Sequence, residues 1–149
     1  MSYEERNALS GLLTSIVAWS IMGGVMWRQY TDGLYDGPDG VMHWARAMLW
    51  LMLYGIGFGI VIAILFAIVD GILHPNDKNR TQSDERDRTI ALLGHRIVLV
   101  AMSAGLIGAI LGMAFGWTAV QGLMLIVVSC ALGDTVGVAY KVFLYRRGF

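Results

Sequence analysis

The sequence HPNDKNRTQSDERDRTIALLGHRIVL, residues 74–99, lies near the middle of the chain and begins with a dense run of charged residues. Two long apolar segments precede it and two follow it. Because the hydrocarbon core of a bilayer disfavours charge, this order predicts two membrane hairpins joined by a polar elbow at residues 74–89. The composition agrees, since 56% of the 149 residues are hydrophobic and only 15% are charged, which is typical of a small membrane protein.

Four apolar segments are long enough to cross a bilayer, which takes about 20 apolar residues in a helix. A helix is expected because it closes its backbone hydrogen bonds within the segment, and the alternating pattern of a membrane barrel is missing. The sequence therefore predicts an all-α integral membrane four-helix bundle, with residues 1–149 as a single transmembrane domain. The predicted spans are residues 9–27, 47–73, 90–113 and 117–140.

The distribution of basic residues predicts how the chain is oriented. The side that holds both termini and the elbow is rich in lysine and arginine, whereas the opposite side holds only Arg28 and Arg46. By the positive-inside rule, both termini and the elbow are expected to face the cytoplasm. The acidic opening, residues 3–5, is not the basic start of a signal peptide, so we expect the first span to stay in the mature protein. The basic residues on the predicted cytoplasmic side are Arg6, Lys78, Arg80, Arg86, Arg88, Lys141, Arg146 and Arg147.

The two halves of the chain resemble each other. A shift of eighty positions aligns Glu5-Arg6 with Glu85-Arg86, and Leu12-Leu13 with Leu92-Leu93. Spans one and three would both start in the cytoplasm, which fits a parallel repeat of two helical hairpins.

Small residues recur at every fourth position in three of the spans. Such stripes let helix backbones approach closely in lipid. They can pack helices within one bundle or form a seam between two copies, so the sequence leaves a homo-oligomer open. The stripes are Gly55, Gly59, Ala63, Ala67 and Gly71 in span two, Ala104, Gly108, Gly112 and Gly116 in span three, and Ser129, Gly133 and Gly137 in span four.

Asp70 and Asp134 are the acidic residues that lie within apolar segments. A carboxylate at the centre of a membrane helix costs about 2.5 to 3.5 kcal/mol on insertion scales, so both demand an explanation. One interpretation is a proton or cation site lined by the two acids, with His95 and Arg96 nearby. The other is structural, with one of the acids paired to Arg96 so that it locks the helices together.

The mixed-charge run at the end of the elbow and the basic C-terminal tail form the second candidate site. They could dock a cytoplasmic or membrane protein partner, or an anionic lipid headgroup, although the mixed signs argue against a purely basic lipid patch. The alternative is a capped and solvated helix start with local ion pairs. The residues concerned are Asp84, Glu85, Arg86, Asp87, Arg88, Arg146 and Arg147.

The sequence lacks the common signatures of catalysis. No nucleophile elbow, phosphate loop, HExxH or CxxC is present. The single cysteine, Cys130, excludes an internal disulfide and a multi-cysteine metal site, and the histidines do not have the spacing of metal ligands. The formal net charge of zero gives no support for direct nucleic-acid binding. We therefore predict a protein that is not an enzyme, with no cofactor and no metal.

The run Asp84-Glu85-Arg86-Asp87-Arg88-Thr89-Ile90, together with the C-terminal KVFLYRRGF, residues 141–149, resembles an uncharacterised family of small four-helix bacterial inner-membrane proteins. In that family a DERD-type motif precedes the third span. The resemblance covers the whole span pattern and departs from it at Gly94-His95, where a glutamate is expected. It implies the four-helix fold and a regulatory context, and it brings no catalytic residues.

Three hypotheses for function follow from these features. The first is a non-enzymatic, self-associating interaction or regulatory module of the lipid bilayer, with a basic cytoplasmic face. The second is a small proton- or cation-coupled transporter or channel subunit that uses Asp70 and Asp134. The third is an accessory subunit of a larger membrane complex.

Overall fold

The structure is a computed structural model that describes residues 3–73 and 85–147. These residues form four α-helices, all of which are long and apolar enough to cross a membrane. The prediction of an all-α four-helix bundle is confirmed, and the chain has the features of a multi-pass membrane protein. The helices are α1 (Tyr3–Thr31), α2 (Gly40–Leu73), α3 (Glu85–Ala114) and α4 (Ala119–Arg147).

The helices are longer than the hydrocarbon core of a bilayer. They contain 29, 34, 30 and 29 residues. At the rise of an α-helix they are therefore about 44 to 51 Å long, against roughly 30 Å of hydrocarbon. Each helix thus carries polar turns beyond its apolar segment, and these turns hold most of the charged residues.

Polar contacts bring one end of every helix to the same end of the bundle. Arg6 at the start of α1 pairs with Asp70 at the end of α2, and Glu5 lies 3.8 Å from Arg146 at the end of α4. The start of α3 joins them, because the alkyl chain of Lys141 lies across Gly94. We call this the charged end, and the opposite end, with the connections at residues 32–39 and 115–118, the loop end.

Helices α3 and α4 are joined by a short connection whose ends are both capped. Gly116 adopts a φ of 97°, and the Trp117 amide donates to the Gly112 carbonyl at 3.0 Å, which together end α3 in a Schellman motif. Thr118 and Gln121 then form a capping box at the start of α4, since each backbone amide is bonded by the other residue's side chain. The connection therefore sets α3 and α4 antiparallel and side by side.

Glycines allow α3 and α4 to pack backbone to backbone. A Cβ atom at Gly137 would lie 2.8 Å from the Gly94 carbonyl oxygen, and one at Gly133 would lie 2.7 Å from the Ala101 Cβ. One at Gly105 would collide with Ser129. The small residues of α4 therefore face α3 within one chain. On α3, Gly105 is buried against α4. Ala104, which the predicted stripe of span three contains in its place, is exposed.

A hydrophobic cluster closes the loop end. Met26, Tyr35, Trp44 and Val120 are buried together and thereby connect α1, α2 and α4. The Tyr35 hydroxyl donates to Gln29, and burial raises the pKa of Tyr35 above its usual value, so the hydroxyl stays a neutral donor. The start of α2 is thus fixed to the rest of the bundle by this cluster.

Helix α2 is attached mainly near its two ends. Its buried residues are Gly40, Trp44 and Asp70, so the long central part has most of its apolar surface exposed, as expected for a helix that faces lipid. Helix α3 packs almost entirely against α4, and α4 also contacts α1 and α2. The sequence predicts that the two hairpins are repeats, but the helices of the second hairpin, α3 and α4, pack together much more extensively than α1 and α2.

Candidate functional site

Asp70 forms a buried ion pair with the first helix. Its carboxylate oxygen Oδ1 accepts a hydrogen bond from the Arg6 Nε at 2.8 Å, and the two side chains are 3% and 15% exposed for Asp70 and Arg6 respectively. A charge-assisted bond of this geometry satisfies a carboxylate that would otherwise be costly to bury. The pair joins the end of α2 to the start of α1.

Asp134 is held by neutral donors on the same helix. The Ser15 hydroxyl donates to Oδ2 of Asp134 at 2.7 Å, and the Trp19 indole nitrogen donates to the same oxygen at 3.2 Å. Ser15 and Trp19 are four positions apart, so they share one face of α1. Within the described ranges, no basic side chain forms an ion pair with Asp134. Among the described residues, the hydrogen bonds to this carboxylate thus come from one hydroxyl and one indole group.

The structure does not bring the four predicted intramembrane polar residues together. Arg6 and Ser15, the partners of the two acids, are about 13 Å apart along α1. His95 and Arg96 are exposed on α3, and α4 lies between α3 and the rest of the bundle. Asp70 on α2 therefore pairs with Arg6 and not with Arg96. Arg96 belongs to α3, which packs almost entirely against α4 and not against α2.

Sequence reasoning missed Arg6, Ser15 and Trp19 as partners of the two acids. A signal was present for two of them, because Ser15 and Trp19 are four positions apart and so share one face of α1. Arg6 lies nine positions before Ser15, which places it on the opposite face of the helix, nearer to Asn7, Ser10 and Thr14.

A polar cleft of about 370 Å³ lies between α1 and α2, and we call it the inner cleft. Its α1 wall is polar and carries Tyr3, Asn7, Ser10, Thr14 and Ser15. Its α2 wall is apolar and mostly small, with Gly59, Ala63, Phe66 and Ala67. The ring centroids of Tyr3 and Phe66 are 6.2 Å apart on the side of the charged end. The inner cleft thus runs from the charged end to Ser15, the donor to Asp134.

A second cavity, of about 330 Å³, lies between α1 and α4 towards the loop end, and we call it the outer groove. Its walls are almost wholly apolar and include Trp19, Met22, Met26, Met124, Val127 and Leu132. Trp19 separates the outer groove from Asp134, because its indole nitrogen donates to that carboxylate. Asp134 therefore lies between a polar cavity and an apolar one.

No protein-family model, curated protein or solved structure matches the chain. Among the described residues, no group of three or more histidine, cysteine, aspartate and glutamate side chains is placed to hold a metal ion.

The predicted docking residues lie at the charged end as far as the structure describes them. Arg86 and Arg88 are exposed on the first turns of α3, and Arg146 and Arg147 are exposed on the last turn of α4. Glu85 is exposed beside them and Asp87 is half-buried. Asp84 lies outside the described residues. Exposed side chains of both signs are therefore presented by two adjacent helix ends.

Proposed function

We propose that this chain is a non-enzymatic protein of the bacterial inner membrane that acts by binding other proteins at its charged end. The observation that carries the proposal is the exposure of Arg86, Arg88, Arg146 and Arg147 on two adjacent helix ends. In this proposal the charged end faces the cytoplasm, in agreement with the positive-inside rule.

The character of this surface favours a protein partner over a purely anionic membrane. Glu85 and Asp87 interrupt the arginines of α3, and Arg146 lies 3.8 Å from Glu5 while its side chain is 64% exposed. Surfaces of mixed sign select partners by complementary charge, whereas lipid-binding patches are clusters of basic residues. The Arg147 guanidinium lies 5.6 Å from the centroid of the Phe143 ring, which holds its charge in a defined place.

Self-association is part of the proposal. Helix α2 is 34 residues long, and most of its apolar circumference is exposed between its two attached ends. A second copy of the chain or lipid would cover this surface in the membrane. We propose that copies of the chain associate there, with the charged ends on the same side of the membrane.

Neutralising the four arginines should abolish partner capture. We expect the combined substitutions Arg86→Gln, Arg88→Gln, Arg146→Gln and Arg147→Gln to reduce cross-linked partner by about tenfold, because charge complementarity governs encounter and specificity. The measurement is quantitative mass spectrometry after cross-linking in intact membranes. Arg28→Gln with Arg46→Gln is the control, since both residues are exposed at the loop end.

An unchanged partner profile in the four-arginine variant would contradict the proposal. Native mass in mild detergent provides a second readout on the same samples. A mass of a few copies of the chain supports self-association, whereas a single large assembly of other proteins would identify an accessory subunit.

A second candidate function is proton-coupled transport, and the placement of Asp134 favours it. Of the two intramembrane acids, Asp70 is neutralised by Arg6, whereas Asp134 accepts hydrogen bonds only from neutral groups within the described residues. A carboxylate of this kind can take up and release a proton without breaking an ion pair.

Asp134→Asn should stop proton flux if this second candidate is correct. The substitution keeps a side-chain oxygen that can accept from Ser15 and Trp19, so we expect the bundle to stay folded. The measurement is pH change inside proteoliposomes that contain a fluorescent pH indicator. Ser129→Ala is the control, because the Ser129 hydroxyl bonds only its own helix at the Leu125 carbonyl. Flux that persists in Asp134→Asn would eliminate the candidate.

A further inference from the structure

We infer that the inner cleft is a water-filled crevice through which protons reach Asp134 from the charged end. The inference goes beyond protein binding and supplies the access route that the transport candidate requires. The inference rests on the transport candidate only for the function of the crevice, because the crevice itself can be detected without any proton flux.

The α1 wall of the cleft offers a continuous series of polar groups. Asn7 is exposed at the charged end, and Ser10 and Thr14 follow at intervals of three and four positions on the same helix face. The Thr14 hydroxyl donates to the Ser10 backbone carbonyl at 2.9 Å, whereas the Ser10 hydroxyl and the Asn7 side-chain amide have no hydrogen-bond partner among the described residues. Water in the cleft would satisfy both groups, whereas an acyl chain offers them no hydrogen bond.

The α2 wall leaves the space that such water needs. A Cβ atom at Gly59 would meet no atom within 4 Å, and Ala63 fills little of the gap. The resulting volume of about 370 Å³ holds several water molecules, each of which takes roughly 30 Å³ in the liquid.

The cleft ends at the hydroxyl that contacts the carboxylate. Ser15 lines the cleft and donates to Asp134 at 2.7 Å, so water beside Ser15 lies one side chain from Asp134. On the other side Trp19 donates to the same oxygen and borders the apolar outer groove. Within the part of the chain that the structure describes, the cleft thus gives water a path to Asp134 from the charged end.

The groups around Asp134 suit a proton rather than a metal cation. Ser15 and Trp19 both point a hydrogen atom at the carboxylate, and an indole nitrogen offers no lone pair to a metal. Hard cations instead require about six oxygen ligands. A proton on Oδ1 would leave both hydrogen bonds to Oδ2 in place, because Oδ1 accepts no hydrogen bond from the described residues.

Thiol labelling of single-cysteine variants tests the crevice. Cys130 is the one cysteine of the chain, so Cys130→Ala provides a background free of thiols. Into this background we would introduce Ser15→Cys and Ala63→Cys, which line the cleft, in separate variants. Their controls are Ile16→Cys and Ile64→Cys, since the native side chains at these neighbouring positions are 45% and 54% exposed on the apolar surface.

The probe is a charged, membrane-impermeant methanethiosulfonate added to vesicles on the side of the charged end. Such reagents attack the thiolate, which forms in water and not in hydrocarbon, so we expect cleft cysteines to react at least about ten times faster than their neighbours. Reagent added on the loop-end side should leave all four variants unmodified. Equal rates within both neighbouring pairs, or labelling from the loop-end side, would overturn the inference.

The labelling result and the transport result can be told apart. Fast labelling at Ser15→Cys with normal flux in Asp134→Asn supports the crevice and eliminates transport through Asp134. Slow labelling at both cleft positions overturns the crevice even if Asp134→Asn abolishes flux.

Discussion

Arg6→Ala is expected to lower the free energy of unfolding by about 3 kcal/mol, because it removes the guanidinium that pairs with the buried Asp70 carboxylate. Asp70 is only 3% exposed, so water cannot replace the guanidinium unless the end of α2 separates from α1. The loss can be measured by equilibrium unfolding in mixed detergent micelles, followed by tryptophan fluorescence.

Arg28→Ala is the matched control for this experiment. Arg28 also faces an aspartate, Asp32, but at 3.8 Å and with both side chains largely exposed. Such surface pairs contribute little, so we expect a change below about 0.5 kcal/mol. Replacing both members of the buried pair, Arg6→Met with Asp70→Leu, should restore stability to within roughly 1 kcal/mol of the native chain. The structural role of the pair is refuted if Arg6→Ala unfolds no more easily than Arg28→Ala.

Gly137→Ala should destabilise the α3–α4 hairpin by about 1 to 3 kcal/mol, since overpacking of a close contact forces the backbones apart. The added Cβ would lie 2.8 Å from the Gly94 carbonyl oxygen and 3.1 Å from Val98 Cγ2. A backbone oxygen cannot move aside as a side chain can. The same unfolding measurement applies, and cross-linking between cysteines placed on α3 and α4 would report the separation directly.

Gly57→Ala provides the comparison, because a Cβ at Gly57 meets no atom within 4 Å. Alanine is the better helix former by up to about 1 kcal/mol, so this variant should be as stable as the native chain or more so. A similar loss in both variants would mean that the effect of Gly137→Ala does not come from close packing of α3 on α4.

Much of the fold could be predicted from local features of the sequence. Each span is recognisable from a continuous apolar run, because insertion of a helix in lipid depends on the residues of that helix alone. Asp70 and Asp134 stand out for the same reason, since a carboxylate in an apolar run needs a partner whatever surrounds it. The capped connection between α3 and α4 was not predicted, because Gly116 was assigned to the small-residue stripe of span three, whereas it adopts a positive φ just after α3.

The partners of the two acids could not be predicted in this way. The choice between Arg6 and Arg96 for Asp70 depends on which helices are neighbours, and apolar runs say little about helix order. The inner cleft could not be predicted from local sequence either, because it exists only where the polar face of α1 meets the small residues of α2.

Local composition is enough to specify four membrane-length helices and two carboxylates that need partners within them, because both properties follow from the free energy of placing each segment in lipid. The packing of the helices specifies that α4 separates α3 from α2, so that Asp70 pairs with Arg6 while Asp134 meets Ser15 and Trp19. That outcome depends on close contacts between helices, such as the approach of Gly137 to the Gly94 backbone, and these contacts join residues that are far apart in the chain.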